Sequence, residues 1–263
     1  MSDVPAPAAA RRILYARDLV IELVLRDIRL RYKRSALGLA WSTVNPLAQF
    51  LILRLVFGVL LPLDIPGYSS FLATGVLAWS WFQGALVADT GAIIDNRDLV
   101  RRPGFPVASL PAVTVTSHLV HFLLALPILL VFLAVDGRSP GPAVIALPMV
   151  VALQFALTLG LAYLLAALHV TFRDTQYLLG IGLQLLFFLT PVFYDAGRLP
   201  ERYRTLFFWN PVAALLDAYR EVLIAGRAPA VVPLLAVASL SALLLAFGYA
   251  LFKRASGHFA EEL

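Results

Sequence analysis

Residues 143–168 read AVIALPMVVALQFALTLGLAYLLAAL, twenty-six positions without one Asp, Glu, Lys or Arg. About 20 apolar residues at 1.5 Å per residue cross the ~30 Å hydrocarbon core of a bilayer. Hydrocarbon offers no partner to backbone N–H and C=O groups, so a block of this kind must be helical. Five similar blocks accompany it, at 36–61, 70–94, 107–135, 176–193 and 230–252. Turn chemistry separates the blocks at Pro62 to Gly67, Asn96 to Pro106, Asp136 to Pro142 and Gly226 to Pro229. Of the 263 residues, 60% are hydrophobic and 14% charged, whereas a soluble domain carries about 25% charge. The chain therefore reads as an all-α integral membrane protein. Six transmembrane helices form one domain over 35–263, preceded by a helix over 14–34 and an Ala/Pro-rich tail over 1–13. Neither an internal repeat nor a signal peptide is evident.

The net charge of +5 raises the question of nucleic acid, but its placement follows membrane topology instead. Eight Lys and Arg precede the first block, from Arg11 to Arg34. Arg97, Arg101 and Arg102 lie in the second connection, Arg173 in the fourth, and Lys253 and Arg254 follow the last block. Apart from segment 194–228, the opposite connections hold only Arg138. Both termini are therefore expected in the cytoplasm. Segment 194–228, with five arginines, is the counterweight to that assignment. It also carries Phe207, Phe208, Trp209, Leu215 and Tyr219, and Asn210-Pro211 is a good helix start, with Asn as cap and Pro at the first helical position. It reads either as short re-entrant helices at the outer leaflet or as an ordinary helix of the aromatic belt.

Over residues 14–34, Ile21, Leu25, Ile28 and Tyr32 recur at helical spacing, and Glu22, Arg26, Arg29 and Lys33 mark another face. Such a helix lies along the interface, either as a lipid anchor or as a docking surface for a partner. Arg54 is the one cation inside a span. It either snorkels to the outer headgroups or serves a pathway, with Asp64 or an acid of 194–228 as partner. Trp79, Trp81, Phe82, Phe187, Phe188 and Tyr194 gather toward the outer half. They suit helix packing and an aromatic belt, and they would equally suit stacking against the apolar faces of sugars.

Several chemistries are absent from the sequence. Cysteine is missing, which removes disulfides, Cys-ligated zinc and Cys nucleophiles. The only lysines are Lys33 and Lys253, and neither follows a glycine, so no phosphate-binding loop exists. His118 and His121 share a helical face, but two ligands without a nearby carboxylate make a poor metal site and read better as packing residues. Among the spans only Asp89 supplies an acid. An ion-coupled carrier or channel, or an intramembrane glycan-modifying enzyme, would need more. The expectation is a protein without catalytic residues, metal or cofactor of its own.

The stretch RDIRLRYKRSALGLAWSTVNPLAQFLILRLVF from Arg26 to Phe57 resembles the membrane subunits of ABC-2 type polysaccharide exporters, the O-antigen and teichoic-acid type. The match rests on Arg26, Asp27, Arg31, Tyr32, Ser35, Leu37, Gly38, Trp41 and Pro46. NRDLVRRPGFPVASLP from Asn96 to Pro111 is similar to that family's first cytoplasmic connection. TPVFYDAGRLP from Thr190 to Pro200 supplies a third match, followed by Asn210-Pro211 and Arg220. Arg54 departs from the family's largely apolar first span.

The resemblance implies a homodimer in a bacterial inner membrane, with two copies of a separate ATPase subunit that hold ATP and Mg. It implies a lipid-linked glycan as cargo: O-antigen, capsular polysaccharide or teichoic acid. By position, ATPase coupling falls on Arg26, Asp27, Arg29, Arg97, Arg101, Arg102 and Phe105, with Arg173 and Asp174 as a third contact. A substrate path would run from Arg31 and Arg34, whose charges suit a pyrophosphate, past Trp41 and Arg54 to the aromatics named above. Tyr203, Trp209, Asp217 and Arg220 would form an outer gate.

Overall fold

The structure, a computed structural model, describes residues 8–31, 41–198, 200–202 and 209–262. The first helix, α1, runs from Ala8 to Arg31. It begins before the expected residue 14, because alanine and arginine are strong helix formers. Trp41–Leu55 forms α2, which loosens into a π-helical turn at Val56–Leu60. Then come α3 (Tyr68–Asp95), the single turn α4 (Arg97–Val100) and α5 (Ser109–Val135). A 3₁₀ turn at Pro142–Ala146 leads into α6 (Leu147–Thr171), followed by α7 (Thr175–Leu189). The chain closes with α8 (Pro211–Leu223), α9 (Val231–Ala255) and the short α10 (Phe259–Glu262).

Among the described residues five helices are long and apolar enough to cross a membrane: Thr43–Leu60, Tyr68–Asp95, Ser109–Val135, Pro142–Thr171 and Val231–Ala255. The expected span at 176–193 is shorter. Pro191 forces Thr190 into an extended conformation (φ −107°, ψ 134°), so α7 stops at Leu189. Its 15 residues reach only ~22 Å.

Helix α3 is the centre of the bundle. Leu72, Trp79, Ala85 and Ile93 along it are fully buried, and α5, α6, α7, α8 and α2 all pack on it. Helices α6 and α9 approach most closely where Gly160 and Gly248 face each other. A Cβ on Gly160 would lie 2.7 Å from the Leu245 nitrogen, and one on Gly248 would collide with the Gly160 carbonyl. Small residues thus let two backbones touch where lipid gives no hydrophobic drive to association. By contrast α2 and α7 are thinly covered. Leu51, Ile52, Leu55 and Val59 are exposed on α2, and Leu178, Ile181, Leu185 and Leu189 on α7.

The bundle has two unlike ends. The terminal end carries α1, α4, the 171–175 turn and α10. The far end carries the connections 61–67, 136–146, 190–202 and 224–230. Helix α5 finishes at the far end with a Schellman turn: Gly137 (φ +69°) donates to the Ala134 carbonyl and Arg138 to that of Leu133. The Asp136 carboxylate then caps α3, accepting from the Ser70 N–H at 2.7 Å and the Ser70 hydroxyl at 2.6 Å.

Candidate coupling face and translocation path

At the terminal end α1 leans on α5. Leu23 and Val24 are buried against Val113, with Leu19, Val20, Ile28 and Phe105 around them. The expected apolar stripe is corrected here: Ile21 and Leu25 are exposed, and Tyr32 lies outside the described residues. One face of the helix is spent on α5, so the protein contact rotates away from the stripe that a purely lipid-bound helix would bury.

Asn96 ties α1 to the end of α3. Its side-chain nitrogen donates to the Ala92 carbonyl at 2.9 Å, and its Oδ1 accepts from Arg26 at 3.2 Å. Around this point Arg26, Arg29, Arg97, Arg101, Arg102, Arg173 and Asp174 are exposed, and Asp27 is half-buried. Among the described residues the side chains of Arg97, Arg101, Arg102 and Arg173 meet no carboxylate within salt-bridge distance. Phe105, expected at the same contact, has a packing role in the chain. It is half-buried between the α1 contact and a second cluster formed by Ile93, Val100, Leu110, Tyr163, Phe252 and Phe259. The ring seats the 97–106 connection on the bundle and leaves the arginines around it exposed.

The path residues separate into three groups. Trp79, Trp81 and Phe82 sit in the core at 0%, 3% and 2% exposure, which corrects their expected role as stacking platforms. Trp79 donates to Gln83 at 2.6 Å, and Trp81 stacks on Phe122 at 5.1 Å between centroids. A ring covered on both faces by its own chain has none to offer a sugar. Phe187 is half-buried with its edge toward Trp79, at 5.6 Å. Trp41 and Phe188 are exposed on α2 and α7, and the Tyr194 hydroxyl donates to the Phe188 carbonyl at 2.8 Å. Arg34 lies outside the described residues, and Arg31 is described in its backbone alone.

For Arg54 only the expected acidic partners are corrected. Neither Asp64 nor an acid of 194–228 pairs with it; its Nε donates to the Ser69 hydroxyl at 3.1 Å.

At the far end α8 is buried on almost every side among α3, α6 and α9. Its start is the one the sequence implies: the Asn210 side chain accepts from Val212 N–H at 3.0 Å and from Ala213 N–H at 3.3 Å. The same side chain donates to the Thr190 hydroxyl at 2.9 Å, which fastens α8 to the end of α7.

Arg220, expected as a gate residue, is instead a buried pin. Its guanidinium donates to the Val192 carbonyl at 2.9 Å, lies 3.5 Å over the Phe71 ring and is 3.7 Å from the Asp217 carboxylate. Burial pulls this group down from its ordinary value to about 10, with Asp217 opposing the shift. It therefore stays cationic at neutral pH. A Cβ at Gly75 would lie 2.9 Å from this guanidinium and would strike the Val192 carbonyl. The Tyr68 hydroxyl holds the next carbonyl, that of Phe193, at 3.0 Å. The break after α7 is thus gripped by α3 and α8 together. Of the other gate residues, Trp209 is exposed, Asp217 is largely so, and Tyr203 lies outside the described residues.

Sequence reasoning missed two more arginine clamps. Arg138 donates to the carbonyls of Ile224 (3.2 Å) and Pro66 (3.1 Å). Arg198 donates to those of Leu63 and Asp64, both at 2.8 Å. An arginine in a turn-rich connection was the only signal, and it names no partner.

Elsewhere, His118 contacts the Thr114 carbonyl at 3.0 Å and meets His121 edge to face at 5.6 Å. Among the described residues no third His, Cys, Asp or Glu joins them. Asp89 is fully buried in α3, and neither of its carboxylate oxygens has a hydrogen-bond partner among the described residues.

A central helix carrying two thinly covered apolar helices, a clamped break after a short one and a bare cationic end describes a transport bundle. Residues 18–224 match the family described as ABC-2 type transporter, and the chain belongs to that family as a multi-pass membrane transport protein.

Its relatives are individually informative. The O-antigen export system permease protein RfbA of Myxococcus xanthus is 36% identical over 255 residues, covering 96% of this chain and 98% of that protein. A permease of the same name from Klebsiella pneumoniae is 30% identical over 81% of this chain and 82% of its own length. The polysialic acid transport protein KpsM of Escherichia coli is 26% identical over 88% of this chain and 91% of its own.

Proposed function

We propose that this chain is the transmembrane subunit of an ATP-driven exporter of a lipid-linked, O-antigen-like polysaccharide. The observation that carries this reading is the end-to-end similarity to an O-antigen export permease, at 98% coverage of that protein. The missing phosphate loop assigns ATP and Mg to a separate ATPase, two copies of which would serve a homodimer. The bare arginines of the terminal end give that ATPase an electrostatic docking face. The excess of Lys and Arg at that end supports a cytoplasmic position for it and for both termini, and the similarity to bacterial export permeases supports a bacterial inner membrane for the chain.

The apolar faces of α2 and α7, uncovered in a single chain, are the surfaces two protomers would bring together around a central path. Movement of the ATPases would reach them through α1, which is joined to α3 by Arg26 and Asn96. Stiff helices carry such displacement as rigid bodies. The KpsM relatives support capsular polysaccharide as the second cargo of the same machinery.

The test is a paired charge reversal, Arg101→Glu with Arg102→Glu, in the native host. Surface glycan is expected to fall to the level of a deletion strain, and the ATPase to leave the purified complex. A variant that keeps its ATPase and exports normally would remove the coupling assignment. Recovery of the wild-type chain without any nucleotide-binding partner, together with ATP-independent export, would favour a secondary transporter or channel.

A further inference from the structure

The geometry points to a phospholipid site at Arg54, on the flank of α2 that faces α5: the groove there takes the phosphate of a singly charged anionic glycerophospholipid. The groove encloses about 440 Å³ between α2, the start of α3 and the end of α5. Phe50 and Phe132, with ring centroids 4.3 Å apart, form its floor. Leu51, Val131 and Val135 on its rim are 64%, 60% and 74% exposed, so it opens sideways, where acyl chains would lie.

Among the described residues the one charge in this apolar setting is the Arg54 guanidinium. Arginine has five N–H donors in a rigid fork. One of them reaches the Ser69 hydroxyl, and among the described residues no carboxylate comes within salt-bridge distance of the others. Donors left this way in lipid are costly unless an acceptor arrives.

The placement of the guanidinium sets the depth of that acceptor. It folds forward over Gly58, where a Cβ would collide with it, toward the first turn of α3. The π-helical turn Val56–Leu60 and the missing side chain at 58 together bring the cation to the far end of the span, beside Ser69 in the first turn of α3, the end where a headgroup phosphate would sit. The charge count selects the ligand. One guanidinium matches one phosphodiester, and among the described residues no second cation lines the groove to meet a diphosphate carrier. An ammonium headgroup would bring a second cation beside Arg54.

The groove shares Leu51, Leu55 and Val59 with the uncovered face of α2, but its cation lies on the α5 side of that helix. Phe57, in the π-helical turn after α2, stacks on Phe193, beyond α7, at 4.8 Å, whereas Arg54 opens toward α5. The inference does not depend on which cargo is exported.

Native mass spectrometry of the full-length chain, extracted in mild detergent and supplemented with phosphatidylglycerol, tests it. The wild type should retain one phosphatidylglycerol per chain. R54Q should lower that retention about tenfold, the scale of losing a charge-assisted hydrogen bond, and R54K, which keeps the charge without the fork, should fall between. If R54Q does not fold, the R54K result and a comparison of phosphatidylglycerol with phosphatidylcholine on the wild type decide. Equal retention across the variants, no preference for phosphatidylglycerol, or a polyisoprenyl diphosphate as the retained lipid would each overturn the proposal.

Discussion

Arginines at the two ends of this bundle do opposite work. At the far end Arg138, Arg198 and Arg220 donate to backbone carbonyls of Pro66, Ile224, Leu63, Asp64 and Val192. At the terminal end Arg97, Arg101, Arg102 and Arg173 are exposed. The difference lies in the backbone beneath them. The far-end connections are irregular, and their carbonyls need partners that a forked guanidinium supplies. The terminal-end connection bonds to itself: Arg101 N–H donates to the Arg97 carbonyl, Arg102 to Leu99 and Phe105 to Arg102. Its arginines are therefore not needed by the backbone and stand exposed. Positive charge is structural where the chain is irregular and exposed where the chain is satisfied.

Arg220→Leu should break this contrast most severely. It removes a buried charged donor and its aromatic contact and leaves the Val192 carbonyl without its partner. A loss of about 3 kcal/mol is expected, read as a lowered thermal midpoint in detergent. A change below about 0.5 kcal/mol would show that the pin is ornamental.

Gly75→Ala tests the same grip from the α3 side. The added methyl meets the Val192 carbonyl and the Arg220 guanidinium, and overpacking of this kind costs about 2 kcal/mol. Its effect should not add to that of Arg220→Leu, because both act on one contact.

Arg138→Ala is milder. Its two bonds sit at a partly exposed loop, so about 1 kcal/mol is expected, with increased protease cleavage near 224–228 as a second readout.

The smallest effect on stability belongs to Arg101→Glu with Arg102→Glu: less than about 0.5 kcal/mol, as for exposed positions in general. Export should nevertheless be lost. A destabilisation as large as that of Arg220→Leu would erase the distinction between the two ends.

The two apolar surfaces divide similarly. Helices α2 and α3 both read as spans, yet Trp79 on α3 is fully buried and Trp41 on α2 is 53% exposed. Hydropathy places a residue in the membrane without saying whether lipid or protein surrounds it, since Trp and Leu satisfy both. For the same reason the sequence offered Trp79, Trp81 and Phe82 as path residues when they are packing residues.

The sequence by itself determined the order of the apolar blocks and, among the described residues, five helices long enough to cross, because hydrocarbon thickness and backbone satisfaction favour helices of about 20 residues; the block at 176–193 holds the shorter α7, which stops at Leu189. It also determined the start of α8, since an Asn cap followed by Pro acts within one turn. Cation placement and the missing phosphate loop were equally legible, each readable residue by residue. Tertiary structure alone decided which arginines are pins and which are free, where Arg54 rests, and which face of α1 meets α5. It also set the close crossing at Gly160 and Gly248. Each of these depends on residues from 15 to 135 positions apart in the chain. Local pattern carries no information about such pairs, because the partner is a carbonyl, a hydroxyl or a bare backbone rather than a complementary side chain.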